Sequence, residues 1–170
     1  MAPRAEIVDT GSRWARAARI TVQAPASTVF DVLADPAQHP LIDGSGTVKG
    51  TLSGPARLSL GAEFGMSMRI GMPYRIENTV VEFEEGRLIA WRHLNGHRWR
   101  YELEPAPRIA ESDTEATIVT ETFDGRTARV PASLLLINAY SNNQIAVAKT
   151  LVRIKELVEG RLADGRGSAA

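Results

Sequence analysis

A carboxylate sits inside an apolar alternation in the second half of this chain. In Val119-Thr-Glu-Thr-Phe-Asp124 the residues Val119, Glu121 and Phe123 fall on one side of any strand the run forms. An acid on an apolar face needs a partner, because burial penalises its charged form. Two candidates stand in the preceding hairpin, Arg92 and His97, and a phenol is available at Tyr140. Arg92, His97, Glu121 and Tyr140 could orient a ligand oxygen or move a proton at an enolisable carbonyl. The plainer alternative is a structural ion pair at the open mouth of a sheet, the commoner origin of such a constellation.

Other chemistries lack their residues. There is no cysteine, hence no disulfide, thiolate zinc site or Cys nucleophile. His93 and His97 are expected on opposite faces of their hairpin and His39 in a loop between Pro36 and Pro40, so no metal site is predicted. Gly44-Ser-Gly46 has neither the third glycine of a dinucleotide fingerprint nor the Lys-Ser/Thr of a phosphate loop, and no Gly-x-Ser-x-Gly elbow occurs. No cofactor is expected.

The elements that must position these groups follow from periodicity. Asn95-Gly96, read as a two-residue turn, pairs Leu94 with His97, Arg92 with Trp99, Ala90 with Tyr101 and Leu88 with Leu103. That register places Ala90, Arg92, Trp99 and Tyr101 on the concave side and leaves Ile89, Trp91, His93, Arg98, Arg100 and Glu102 outside. A one-residue bulge would bring Trp91 and His93 inward instead. Phe64, Met66 and Met68 alternate along another strand, as core packing or as an adaptable ligand wall. Tyr140 either points its hydroxyl into the cavity or is a buried aromatic with a satisfied donor.

Strands are predicted near 14–22, 47–52, 62–70, 74–83, 87–94, 97–103 and 115–123, with a looser connection over Pro105–Asp113. Two short helices, one over 26–34 and one begun by Asp35-Pro36, follow the first strand. Connections this short suit an antiparallel meander. A helical period runs from Ser133 to Glu159. The expected organisation is one domain over 13–159 between flexible tails at 1–12 and 160–170.

The whole-chain numbers fit. The 170 residues are 44% hydrophobic and 24% charged with a formal net charge of zero, which disfavours a nucleic-acid partner. The longest aliphatic run, Leu134–Ile137, is far too short to span a bilayer, so no membrane insertion and a cytoplasmic location are expected. A homodimer stays open.

The order of strand, two short helices, six strands and long helix resembles the helix-grip fold of the START and birch-pollen-allergen (SRPBCC) superfamily, and within it the polyketide cyclase/dehydrase branch. The pieces that carry the resemblance are Ile20-Thr-Val-Gln-Ala-Pro25 leading to Val29-Phe-Asp-Val-Leu-Ala-Asp35, Ile89-Ala-Trp-Arg92, His97-Arg-Trp-Arg-Tyr-Glu-Leu-Glu104 and Val119-Thr-Glu-Thr-Phe-Asp124. It implies an α+β domain with a curved seven-stranded antiparallel sheet gripping a long C-terminal helix. It also implies a cavity between them that holds a small hydrophobic molecule, lined by Phe64, Met66, Met68, Ala90, Arg92, Trp99, Tyr101, Val119, Glu121 and Tyr140. A lipid- or polyketide-like ligand carrier is the expected function. The alternative is an aromatase/cyclase or dehydratase using His97, Glu121, Arg92 or Tyr140 for proton transfer.

Overall fold

Alternating apolar residues build one long antiparallel sheet, and the helices are laid against its concave side. The computed structural model describes residues 2–93, 95–107 and 115–167. The strands are β1 (Glu6–Val8), β2 (Ala15–Val22), β3 (Val48–Ser53), β4 (Glu63–Ile70), β5 (Met72–Glu84), β6 (Leu88–Arg92), β7 (Arg98–Pro105) and β8 (Thr117–Asp124), in the spatial order β1-β2-β8-β7-β6-β5-β4-β3. From β3 to β8 every neighbour is the next strand in sequence, the meander that short connections dictate; of the expected 105–113 connection, 108–114 lie outside the described residues. The helices are α1 (Ala26–Ala34), α2 (His39–Ile42), α3 (Ser133–Leu136) and α4 (Ala139–Gly167).

The long helix α4 has 29 residues, about 43 Å at 1.5 Å per residue. Its stripe Val147, Leu151, Ile154 and Val158 is almost fully buried, and α4 runs alongside β2. Gln144 Nε2 donates to the Ala17 carbonyl (3.2 Å), Lys155 Nζ to the Thr21 carbonyl (2.8 Å), and the Gln23 amide to Glu159 Oε1 (2.7 Å). On its other side the chain leaving α2 touches it at Gly44, whose amide donates to Thr150 Oγ1 (2.9 Å). A Cβ at Gly44 would run into the Ala146 carbonyl and the Thr150 amide, so only glycine permits this approach.

Three expectations are corrected. The sheet has eight strands, not seven: Glu6–Val8, expected in a tail, pair with Ala17–Arg19, and Glu6 takes a two-pronged ion pair from Arg19 (2.9 and 3.0 Å). The C-terminal helix does not stop at Glu159 but continues to Gly167, with Leu162 packed against the core and Arg161 donating to Gln38 Oε1 (2.7 Å). Nor does it begin at Ser133. Asn138, with φ of 51°, separates α3 from α4, and its carbonyl accepts from the Asn142 amide (3.1 Å) at the start of α4.

Candidate functional site: a buried carboxyl on the concave face

The β6–β7 register decides what faces inward. Trp91 pairs with Trp99, Ile89 with Tyr101 and Arg92 with Arg98. Three residues therefore separate His93 from His97, not the two of the expected turn, and the expected pairing of Leu94 lies outside the described residues. The turn closes through the Gly96 amide on the His93 carbonyl (2.9 Å), with Gly96 at φ of 90°, the left-handed position such loops require. The one-residue change keeps Trp99, Tyr101 and Leu103 inside but reverses β6. Ile89 and Trp91 join the core, while Arg92 is exposed. Ala90, though buried, lies opposite Arg100 on the outer face. That outer face is an ion-pair ladder: Arg98 and Arg100 both donate to Glu82 (2.9 and 3.2 Å), and Arg100 also to Glu102 (2.7 Å).

On the inner face one row runs Ile89–Tyr101–Glu121–Ala18 across four strands. Glu121 is 1% exposed. Its Oε1 accepts from the Tyr101 hydroxyl at 2.8 Å, and its Oε2 is buried without a partner. The expected pairing with Arg92 or His97 does not form. Burial drives the Glu121 carboxyl well above its ordinary 4.5, the Tyr101 hydrogen bond offsets part of this, and the negative Asp43 nearby adds to the rise. Tyr101 is likewise pushed well above 10.0 by burial, then by the charge of Glu121. The Tyr101 phenol thus donates to a carboxyl in which burial favours the protonated form, and whose second oxygen has no protein partner.

Towards the hairpin turn lies a second polar group. His93 and His97, expected on opposite faces, stack edge-on with ring centroids 4.8 Å apart. Trp99 Nε1 donates to His93 Nε2 (3.0 Å), which puts the proton of neutral His93 on Nδ1, and the Nδ1 atoms of both histidines are buried and unpartnered. Burial, and then the neighbouring His97, lowers His93 to about 3; burial alone lowers His97 to about 4. Among the described residues no third metal-binding side chain joins them. Asn78 Oδ1 on β5 is also buried and unpartnered.

The apolar wall is where periodicity put it: Phe64, Met66, Met68 and Val119 are all buried. Tyr140 is the buried aromatic, its hydroxyl donating to the Pro131 carbonyl (3.1 Å) and its ring meeting Phe123 edge-on. The residues that sequence reasoning missed are Trp91, His93, Asn78 and His39. His39, expected in a loop, begins α2 and stacks on Trp91 (4.8 Å) with Nε2 on the Leu33 carbonyl (2.9 Å). Only the alternative hairpin register signalled the first two. Asn78 and His39 left no signal. Two open depressions lie elsewhere, between α1 and α4 around Asp31, Gln38 and Arg161, and outside β3–β5 around Leu52, Arg75 and Glu77.

A family model described as polyketide cyclase / dehydrase and lipid transport matches residues 14–159. The chain belongs to that family, within the SRPBCC superfamily. An uncharacterized protein of Mycobacterium tuberculosis H37Rv is 42% identical over 121 residues, 69% of this chain and 50% of that protein, so the chain spans about half the length of the curated relatives it matches. A crystal structure of a Nitrosomonas europaea protein superposes with a TM-score of 0.63 at 15% identity, covering 92% of this chain and 99% of that one. A polyketide-cyclase-like protein of Corynebacterium glutamicum superposes with a TM-score of 0.53 at 16% identity, covering 88% and 93%. Both similarities bear on the fold alone.

Proposed function

We propose that this family member is a carrier that binds a small apolar molecule bearing a carbonyl oxygen, seated on the concave face with that oxygen on Glu121 Oε2. The observation that carries this reading is the buried, unpartnered half of the Glu121 carboxyl. Leaving such a group unsatisfied costs about 1–3 kcal/mol, a cost that a bound acceptor offsets. Met66 and Met68 supply a deformable wall, since thioether side chains repack at little expense.

The test uses an alkyl naphthyl ketone and the matching alkyl naphthalene without the carbonyl, followed by quenching of tryptophan emission. The ketone is expected to bind tighter by roughly 5–30-fold, and Glu121→Met to erase the difference. Equal binding of ketone and hydrocarbon by the unsubstituted protein would remove Glu121 from the site. A second reading, cyclase or dehydratase, is favoured by the same protonated acid. Glu121→Gln separates the two, because an amide donates a hydrogen bond but delivers no proton. A carrier retains ketone binding, whereas an enzyme retains binding but loses turnover of a poly-β-ketone thioester by roughly 100-fold or more.

A further inference from the structure

We infer that the concave face holds a second polar subsite, built by Asn78, His93 and His97, which takes a hydroxyl group. The ligand is then a long apolar keto-alcohol, its ketone on Glu121 and its alcohol near the hairpin turn. The ketone end rests on the reading of Glu121 given above; the alcohol end rests on a separate row of residues. One step past the pair Thr79–Arg92 stand Asn78 on β5 and His93 after β6. Asn78 pairs with Phe64 on β4 and both are 1% exposed, so this row faces inward. His93 alternates with the exposed Arg92 and turns the same way. His97 completes the row, its carbonyl accepting from the His93 amide (3.4 Å) and its ring edge-on to that of His93. Asn78 Oδ1, His93 Nδ1 and His97 Nδ1 are all buried without a partner, and orphaned polar atoms gathered in one row call for a common guest.

The tautomer decides what fits. Trp99 Nε1 donates to His93 Nε2 (3.0 Å), so His93 Nδ1 carries the proton and is a donor. Asn78 Nδ2 is turned to the Phe64 carbonyl (3.5 Å), which leaves Oδ1 as an acceptor. A metal ion needs a bare Nδ1 and is refused by the Trp99 bond. An anion finds no cation, since burial lowers His93 to about 3 and His97 to about 4. A carbonyl would accept from His93 but offer nothing to Asn78. A hydroxyl serves both: its oxygen accepts from His93, its hydrogen goes to Asn78, and His97 in either tautomer gives or takes one bond more. Cross-strand neighbours hold their Cβ atoms about 5 Å apart, within reach of a single oxygen. Between the two subsites lies the row Val80–Trp91–Trp99–Phe123, which presents apolar and aromatic surface. Tyr101 is four positions beyond His97, so the apolar skeleton spans about 13 Å at about 3.3 Å per residue.

The experiment is quenching of tryptophan emission by four long-chain naphthyl probes: the alkyl naphthyl ketone, the same ketone with a hydroxyl at the chain end, the alkyl naphthalene with only that hydroxyl, and the bare alkyl naphthalene. The terminal hydroxyl should tighten binding roughly fivefold, with or without the carbonyl. On a short chain, which leaves it over Trp91 and Phe123, it should gain nothing. Asn78→Leu should abolish the hydroxyl gain and keep the preference for ketone over hydrocarbon, with an unchanged or raised melting temperature because leucine fills the space without an orphaned oxygen. His93→Phe should abolish the gain too, and His93→Asn, whose amide nitrogen stands near the place of Nδ1, should restore part of it. Loss of the ketone preference alone would sink the reading of Glu121 and leave the hydroxyl subsite standing. Equal binding with and without the hydroxyl would overturn the subsite and assign the row to a bound water. A hydroxyl gain that survives in Asn78→Leu and His93→Phe would overturn it as well.

Discussion

At the scale of single residues, the concave pole is a set of groups whose charged forms burial disfavours. Glu121 has its carboxyl raised, so the native state retains a proton that the unfolded chain releases above 4.5. Its stabilising contribution is complete below that pH and is lost as pH rises through the native value. Glu121→Gln cannot ionise, so its melting temperature should exceed that of the parent near pH ~9 and converge with it, or fall slightly below, near pH ~4.5. The histidines act with the opposite sign. Lowered from 6.5 to about 4 and about 3, His97 and His93 contribute stability that is complete above 6.5 and lost as pH falls through the native values. His97→Leu should recover on the order of 2 kcal/mol of the acid loss, read from urea titrations at pH ~7 and ~4. An unchanged acid loss would place His97 in water.

At the scale of elements, the β6–β7 hairpin carries the most consequence for the least chain. One residue more in its turn reverses β6 and replaces Ala90 and Arg92 with Ile89 and Trp91 on the inner face. Trp91, 7% exposed, stacks on His39 and meets Phe64 edge-on at 5.7 Å. Trp91→Ala should therefore cost about 3–5 kcal/mol, while Arg92→Ala should change stability by about 0.5 kcal/mol at most, both measured by chemical unfolding. The reverse ranking would restore the two-residue turn. Asn95-Gly96 alone does not fix the turn length. The carbonyls of Asn95 and Gly96 are engaged by Arg129 and Thr127, residues some thirty positions away, and those contacts hold the longer loop.

At the scale of the whole molecule, the grip is closed by contacts between chain ends and middle. Arg161 reaches Gln38, Leu162 packs on the core, and Arg153 donates to the Asp43 carbonyl next to the loop that passes under α4. Ending the chain at Gly160 removes the first two. The melting temperature should drop by about 2–4 °C in a thermal scan, since a loss of about 1 kcal/mol shifts a domain of this size by that much. An unchanged midpoint would show that the last turns of α4 add nothing to the core.

The sequence by itself determined the meander, the alternating wall of Phe64, Met66 and Met68, the inward side of β7 and β8, and the long helix, because each rests on a period of two or 3.6 sustained over many residues. It also singled out Glu121, since a lone acid in an apolar alternation stands out without any fold. Its partner was decided only by tertiary structure. Tyr101 is twenty residues away and meets Glu121 only because β7 and β8 pair in that register, while Arg92, expected beside it, was turned out by one extra loop residue and His97 packs on His93 and Phe123 instead. The edge strand β1, the break at Asn138 and the last turns of α4 were likewise invisible. Three residues of pairing, one left-handed backbone and a side-chain bond to Gln38 are long-range choices that local periodicity does not encode.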